Sequence, residues 1–345
     1  LGTLKMKSIL LQKTLLTCCA MTLFLFFSIA AYTDHSIITN RPGQSFSDPS
    51  QIMDMPSDWM QMPVKYDPEI GEADIVVNLD QHIYPVLLPL IQQFAEGHHI
   101  KVAVSEGTCG TAAGLLSRKA ADVGGFCCPP DKTDRFPGLR FHTYGIAALA
   151  LLVHPDNPVD NITTDEARKV FAGEIVSWAE IESGKGEKGR EALIQPVTRL
   201  HCKLRPGHWR LMLDDQDLFS PRILDVGAIP DMVYNIASNK NAIGFEILWN
   251  VKRFRERGVV KPLKLNGYSP SDKEAVASHK YPFYEVFSLS TWEGKGVENP
   301  WAQKLVAYIL EQSGEFSGQY YFVPVSRLKK AGWKFSGNEL IGEPE

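Results

Sequence analysis

Apolar positions recur every three to four residues between Tyr84 and Glu96, where Val86, Leu87, Leu90, Ile91 and Phe94 share one side, and this spacing predicts an amphipathic helix. Short apolar runs flank it, so Asp74 to Asn78 and Ile100 to Val104 are expected as strands. Thr111 to Ala120 then predicts a helix, Asp122 to Phe126 a strand, and Gly145 to His154 a long apolar strand stopped by Pro155, Asn157 and Pro158. Thr163 and Thr164 supply caps for a helix from Asp165 to Phe171. Beyond the polar loop at 183–190, strands are expected at Ile194 to Thr198 and Ala242 to Glu246, with helices at His208 to Leu213 and Met232 to Ala237. A strand (Tyr284 to Ser290), a helix (Trp301 to Gln312) and a final strand (Tyr321 to Val325) complete the series. No internal repeat is seen. Such alternation predicts an α/β fold with a parallel sheet and helices on its faces.

The N-terminal part breaks this pattern. Lys5, Lys7 and Lys13 precede an apolar run from Leu15 to Ile29, and Ser28, Ile29 and Ala30 supply a small-x-small cleavage site. Residues 1–30 therefore read as a secretory signal peptide starting at Met6 and cleaved near Ala30, with an uncleaved N-terminal anchor as the alternative, and the chain beyond it is expected in the periplasm. Cys18 and Cys19 lie inside the run, which argues against a lipid-modified start. Residues 31–72 hold Pro42, Pro49, Pro56, Pro63 and Pro68 with neither helical nor strand period, and predict a flexible leader.

Composition narrows the function. With 345 residues, 44% of them apolar, two packed domains are expected. Lys and Arg number 36 against 40 Asp and Glu, for a net charge of -4, so there is no footprint for nucleic acid. A monomer is expected.

Three segments carry a family likeness. Residues 157–181 (NPVDNITTDEARKVFAGEIVSWAEI), 241–247 (NAIGFEI) and 306–327 (VAYILEQSGEFSGQYYFVPVSR) resemble, in this order, the periplasmic phosphate-binding proteins of the phosphate ABC transporter. The likeness runs from about Ala73 to Arg327. It implies a type II periplasmic binding fold: two α/β lobes joined by two crossover strands, lobe 1 from residues 73–150 and 252–330, lobe 2 from 151–251. It also implies a ligand cleft at strand ends and helix N-termini, where free N–H groups favour anions. The first crossover should be Gly145 to His154 and the second should follow Phe245.

By the same resemblance, four stretches line the cleft. They are NLDQHIY at 78–84, with Asp80 and Gln81; SEGTCGTAAG at 105–114, with Thr108, Cys109, Gly110 and Thr111; GGFCCPPDK at 124–132, with Cys127, Cys128 and Asp131; and TRLHCKLRPGHWR at 198–210, with Arg199, His201, Cys202 and His208. Thr, Asp and Arg suit an oxyanion. Every cysteine beyond the signal segment falls in these stretches, which the family pattern does not require.

Two explanations of the cysteines stand side by side. An oxidising compartment favours disulfides, and a strained ring disfavours pairing Cys127 with Cys128, so Cys109 would join one of them. Alternatively Cys109, Cys127, Cys128 and Cys202, with His201 or His208, form a soft site for Cu(I), zinc or arsenite. Met53, Met55, Met60 and Met62 in the leader either bind Cu(I) or pack as apolar beads on the lobe surface.

Haem attachment lacks its C-x-x-C-H motif, and no cofactor is expected. Cys128, His208 and Asp131 would make a thiol enzyme, but no nucleophile elbow, zincin helix, P-loop or dinucleotide fingerprint accompanies them. The expected function is capture of phosphate or a related small inorganic anion for an ABC permease or sensor. A soft metal ion is the alternative ligand, and Trp178 and Trp209 are expected to serve packing.

Overall fold

The computed structural model describes residues 46–182, 191–200, 211–213 and 215–345. The expected signal segment, the start of the expected leader, the loop at 183–190, His201, Cys202, His208 and Trp209 lie outside them.

Strand β1 (Ile75–Asp80) is buried at all six positions because it runs inside a sheet, parallel to β2 (Val102–Gly107) on one side and β3 (Val123–Phe126) on the other. Helices connect them. Tyr84–His98 buries Val86, Leu87, Ile91 and Phe94 and stops at His99, whose left-handed backbone (φ 56°) ends the helix. Cys109–Ser117 starts at Thr108, whose side chain accepts the Thr111 N–H at 3.1 Å.

The fifteen-residue strand β4 (Leu139–Val153) belongs to two sheets. Its first part pairs antiparallel with Tyr284–Trp292, which also pairs with β3; its last five residues pair antiparallel with Ala242–Ile247. Gln195–Thr198 and Leu224–Asp225 continue the second sheet in parallel. The sheet is thus mixed, not parallel as the alternation predicts. Antiparallel neighbours need no crossover helix between them, and the order of elements along the chain does not reveal the direction in which a distant strand returns.

The return itself comes later than residue 252. Lys261–Pro262 pairs with Leu152 and Val153, and Lys264–Leu265 pairs with Asn161 and Ile162, so this stretch is still second-lobe structure. The chain rejoins the first sheet at Tyr284. Two-residue strands are too short to show a period, so the pattern carries no signal for these pairings.

Residues 46–72 also differ from the expected flexible leader. Trp59 packs against Phe136 and Trp292, and its indole N–H donates to the Ser117 carbonyl at 2.7 Å. The buried Lys119 ammonium donates to the carbonyls of Trp59 (2.8 Å) and Met62 (2.7 Å). Met53 and Met55 pack on the first-lobe core while Met60 and Met62 face solvent, an arrangement of apolar beads. Irregular backbone needs no period when side chains from elsewhere satisfy its carbonyls.

A short hairpin of Lys334–Ser336 and Glu339–Gly342 follows the last predicted strand. It meets the start of the described chain: the N–H groups of Phe46 and Ser47 donate to the Ile341 carbonyl, and Arg135 holds Glu339 through two hydrogen bonds.

Candidate functional site

The C-terminal ends of β1, β2 and β3 converge, and the side chains just beyond them meet β4 and the second lobe. Asp80, the last residue of β1, organises the group. Its carboxylate accepts the Cys109 N–H at the start of helix Cys109–Ser117 (3.1 Å), the His82 N–H (2.9 Å) and the His82 ring at Nδ1 (2.7 Å). Burial opposes its charge, but His82 and Arg199 outweigh burial and hold Asp80 well below the usual carboxylate range.

From the second lobe, Arg199 reaches His82, with Nη2 2.7 Å from Nε2, and lies 3.5 Å from Glu246. A guanidinium can only donate, so in the neutral ring Nε2 accepts and the proton sits on Nδ1 facing Asp80. Burial disfavours a charged ring, yet Glu285, Glu246 and Asp80 raise the His82 pKa well above its ordinary value.

Glu246 lies 3.3 Å from His82 Nε2 and accepts the Asn250 amide at 2.9 Å. Against burial, His82 and Arg199 hold its pKa down at about 2. Glu285, 3.7 Å from the same ring nitrogen, is the opposite case. Burial, reinforced by the Glu246 and Asp80 charges, pushes it up to about 8 although His82 and Arg199 pull the other way. At neutral pH the cluster therefore sets two ionised carboxylates, Asp80 and Glu246, and one protonated carboxyl, Glu285, around the His82 ring and the Arg199 guanidinium.

Tyr144 faces the same group because β4 bulges there: Gly145 pairs with Phe287 and Thr143 with Ser288, leaving Tyr144 as the extra residue. Its ring stacks on Phe287, and burial followed by Asp80, Cys127 and Glu285 raises its pKa well above the usual phenol value. Among the described residues, the Tyr144 hydroxyl and both Nε and Nη1 of Arg199 are buried with no hydrogen-bond partner.

Three thiols complete the floor. Cys109 Sγ is 3.4 Å from Cys127 Sγ, and Cys127 Sγ is 3.6 Å from Cys128 Sγ, all three residues buried. A disulfide needs about 2.05 Å, so neither pair is bonded. The contact with Cys109, burial and the Asp80 charge push the Cys127 thiol well above its ordinary range, against an opposing hydrogen bond from Cys128.

Of the sequence-predicted residues, Asp80, Cys109, Cys127, Cys128 and Arg199 meet here. Thr108 and Thr111 share a 3.2 Å hydroxyl contact at the helix start, where Gly110 is exposed, and the Gln81 N–H is tied to the Gly107 carbonyl. Asp131 opens the turn Lys132–Asp134, where its N–H donates to Asp134 at 3.1 Å; none of the described hydrogen bonds or ion pairs joins it to the cluster. His82, Tyr144, Glu246 and Glu285 are absent from the sequence-based set. The available signal was charge inside apolar strands: Glu246 in AIGFEI and Glu285 in YEVFSLS lie on strands buried at every position, where a carboxylate needs partners.

Known proteins share this architecture. The chain is 25% identical over 123 residues to the phosphate-binding protein PstS of Bacillus subtilis, covering 35% of this chain and 41% of the relative. It is 22% identical over 121 residues to phosphate-binding protein PstS 2 of Streptococcus agalactiae, covering 34% and 40%. The chain thus spans about two fifths of the curated relatives it matches. An ABC-type phosphate transport receptor from Vibrio cholerae superposes with a TM-score of 0.58 at 20% identity, over 72% of this chain and 99% of that one. A putative phosphate ABC transporter substrate-binding protein with bound phosphate from Clostridium perfringens gives 0.60 at 16%, over 73% and 99%. These two likenesses establish the two-lobed α/β fold. A family model described as a PBP superfamily domain matches residues 67–313, well over half of the sequence, and the chain belongs to that superfamily.

Proposed function

We propose that this protein is an extracytoplasmic solute-binding protein that captures phosphate, or a related oxyanion still carrying a proton, between its lobes and yields it to an ABC permease. The observation that carries the proposal is Arg199: a buried second-lobe guanidinium with two donor nitrogens, Nε and Nη1, lacking partners among the described residues, set against a first-lobe carboxylate and helix N-terminus. Unpaired buried donors are costly, and an anion that accepts from them removes that cost. The likeness to phosphate-binding relatives supports the same ligand.

The carboxylates then choose among anions. Hydrogen phosphate has a P–OH that can donate to Asp80 or Glu246, whereas sulfate at neutral pH meets those carboxylates with no proton to give. Phosphate is expected to bind and sulfate to be rejected. Capture alters no covalent bond, and β4, shared by both sheets, is one of the two connections about which the lobes would open and close.

Titration calorimetry with phosphate and sulfate tests this on the wild type and on Arg199→Ala. Two charge-assisted hydrogen bonds, at about 1.5–3 kcal/mol each, make the expected loss of phosphate affinity about 100-fold or more. A wild-type protein that takes up no phosphate, or a variant that binds it equally well, refutes the proposal.

A further inference from the structure

We propose that Cys109, Cys127 and Cys128 form a three-sulfur receptor for a trivalent, thiol-reactive metalloid, with arsenite as its probe. The site stands on first-lobe residues alone and does not depend on the phosphate proposal.

Geometry comes first. The three Sγ atoms all lie within 4.8 Å of one another, two of the separations being 3.4 and 3.6 Å. Bonds of about 2.3 Å to one central atom, at angles of about 90 to 110°, place sulfurs about 3.3 to 3.8 Å apart. Little movement is therefore needed to close three sulfurs on one centre. Pro129 and Pro130 follow Cys127 and Cys128 directly, and their fixed φ limits how far that loop can spread when the site is empty. The Cys127 N–H, donating to Cys109 Sγ at 3.3 Å, ties the two loops together.

Charge then selects the class of ligand. All three cysteines are at most 3% exposed, and the Asp80 carboxylate lies 3.5 Å from Cys109 Sγ. A monovalent ion held by three thiolates leaves two uncompensated negative charges in this buried place, and a divalent ion leaves one. A trivalent centre leaves none, and burying net charge is what the interior resists most. Arsenous acid also arrives neutral. Each thiol proton leaves with one hydroxide as water, so three As–S bonds replace three As–O bonds, three waters depart, no electron moves and no net proton is exchanged. Phosphate, by contrast, gains nothing from sulfur.

The test uses the purified, reduced protein and arsenite. Arsenic X-ray absorption should count three sulfur neighbours, and native mass spectrometry should show one arsenic per chain with three hydrogens lost. Single Cys109→Ser, Cys127→Ser and Cys128→Ser replacements should each weaken retention by about 100-fold or more, since each removes one intramolecular ligand step. Two or fewer sulfur neighbours, no arsenite on the folded wild type, or undiminished binding by the triple serine variant overturns the assignment. The sulfur count on the unmodified protein decides the matter even where a serine variant fails to fold. Phosphate titrations on the same samples report separately on the anion proposal, because arsenite capture without phosphate binding, or the reverse, fails only one of the two.

Discussion

Glu285 links the cluster to pH. Its carboxyl has a folded pKa of about 8 against an ordinary value of 4.5, so between those limits the folded chain keeps a proton that the unfolded chain has lost. Stability from this group is complete below about 4.5 and is lost as pH rises through about 8. Asp80 and Glu246, shifted the other way, lose their contribution only on the acid side of their unfolded values. His82, also raised, adds a decline of the same sign above about 6.5, so wild type and variant must be compared at each pH. Glu285→Gln keeps the shape without the titration and should be more stable than wild type at pH 8 by a few kcal/mol, because each tenfold change in proton affinity between the folded and unfolded chain is worth about 1.4 kcal/mol. At pH 5 the two should be nearly equal. Urea unfolding at both values checks this, and a constant difference between them would contradict it. At this scale Asp80 and Arg199 were legible through their motif positions, and the cysteines through their clustering in cleft loops. His82 was not, because nothing in NLDQHIY separates a histidine that bridges two lobes from one that caps a turn.

Elements were legible wherever a face is buried along several turns or residues. The helix Tyr84–His98 and the strand β4 announce themselves by spacing and by unbroken apolarity. The segment around Trp59 does not, since its order comes from Lys119, Ser117 and Trp292, distant in sequence. Trp59→Ala should therefore cost about 3–5 kcal/mol, the range for emptying a buried aromatic site. Met60→Ala, at a side chain 50% exposed, should stay within about 0.5 kcal/mol. Chemical denaturation of both variants measures the contrast, and limited proteolysis should cut the segment before the lobes only in the tryptophan variant. Equal effects would mean that the segment is not docked in solution.

For the whole molecule, alternation of strands and helices was enough to name the fold class, while strand direction and the late return at Tyr284 depended on pairings that no local pattern encodes. The sharing of β4 has an energetic counterpart: neither sheet can lose this strand without breaking the other. A single cooperative melting transition is expected. Leu79→Ala in the first-lobe core should lower the melting temperature reported by Trp178, buried in the second lobe, together with that reported by far-ultraviolet dichroism. Separate transitions would show that the strand does not couple the lobes. The contact of Phe46 and Ser47 with Ile341 bears on mechanics instead. It joins the two ends of the described chain, so tension applied between them meets the hairpin and its Arg135–Glu339 pair before it meets any strand of the main sheets. Under such tension the clasp is expected to part first, leaving both lobes folded on a lengthened tether.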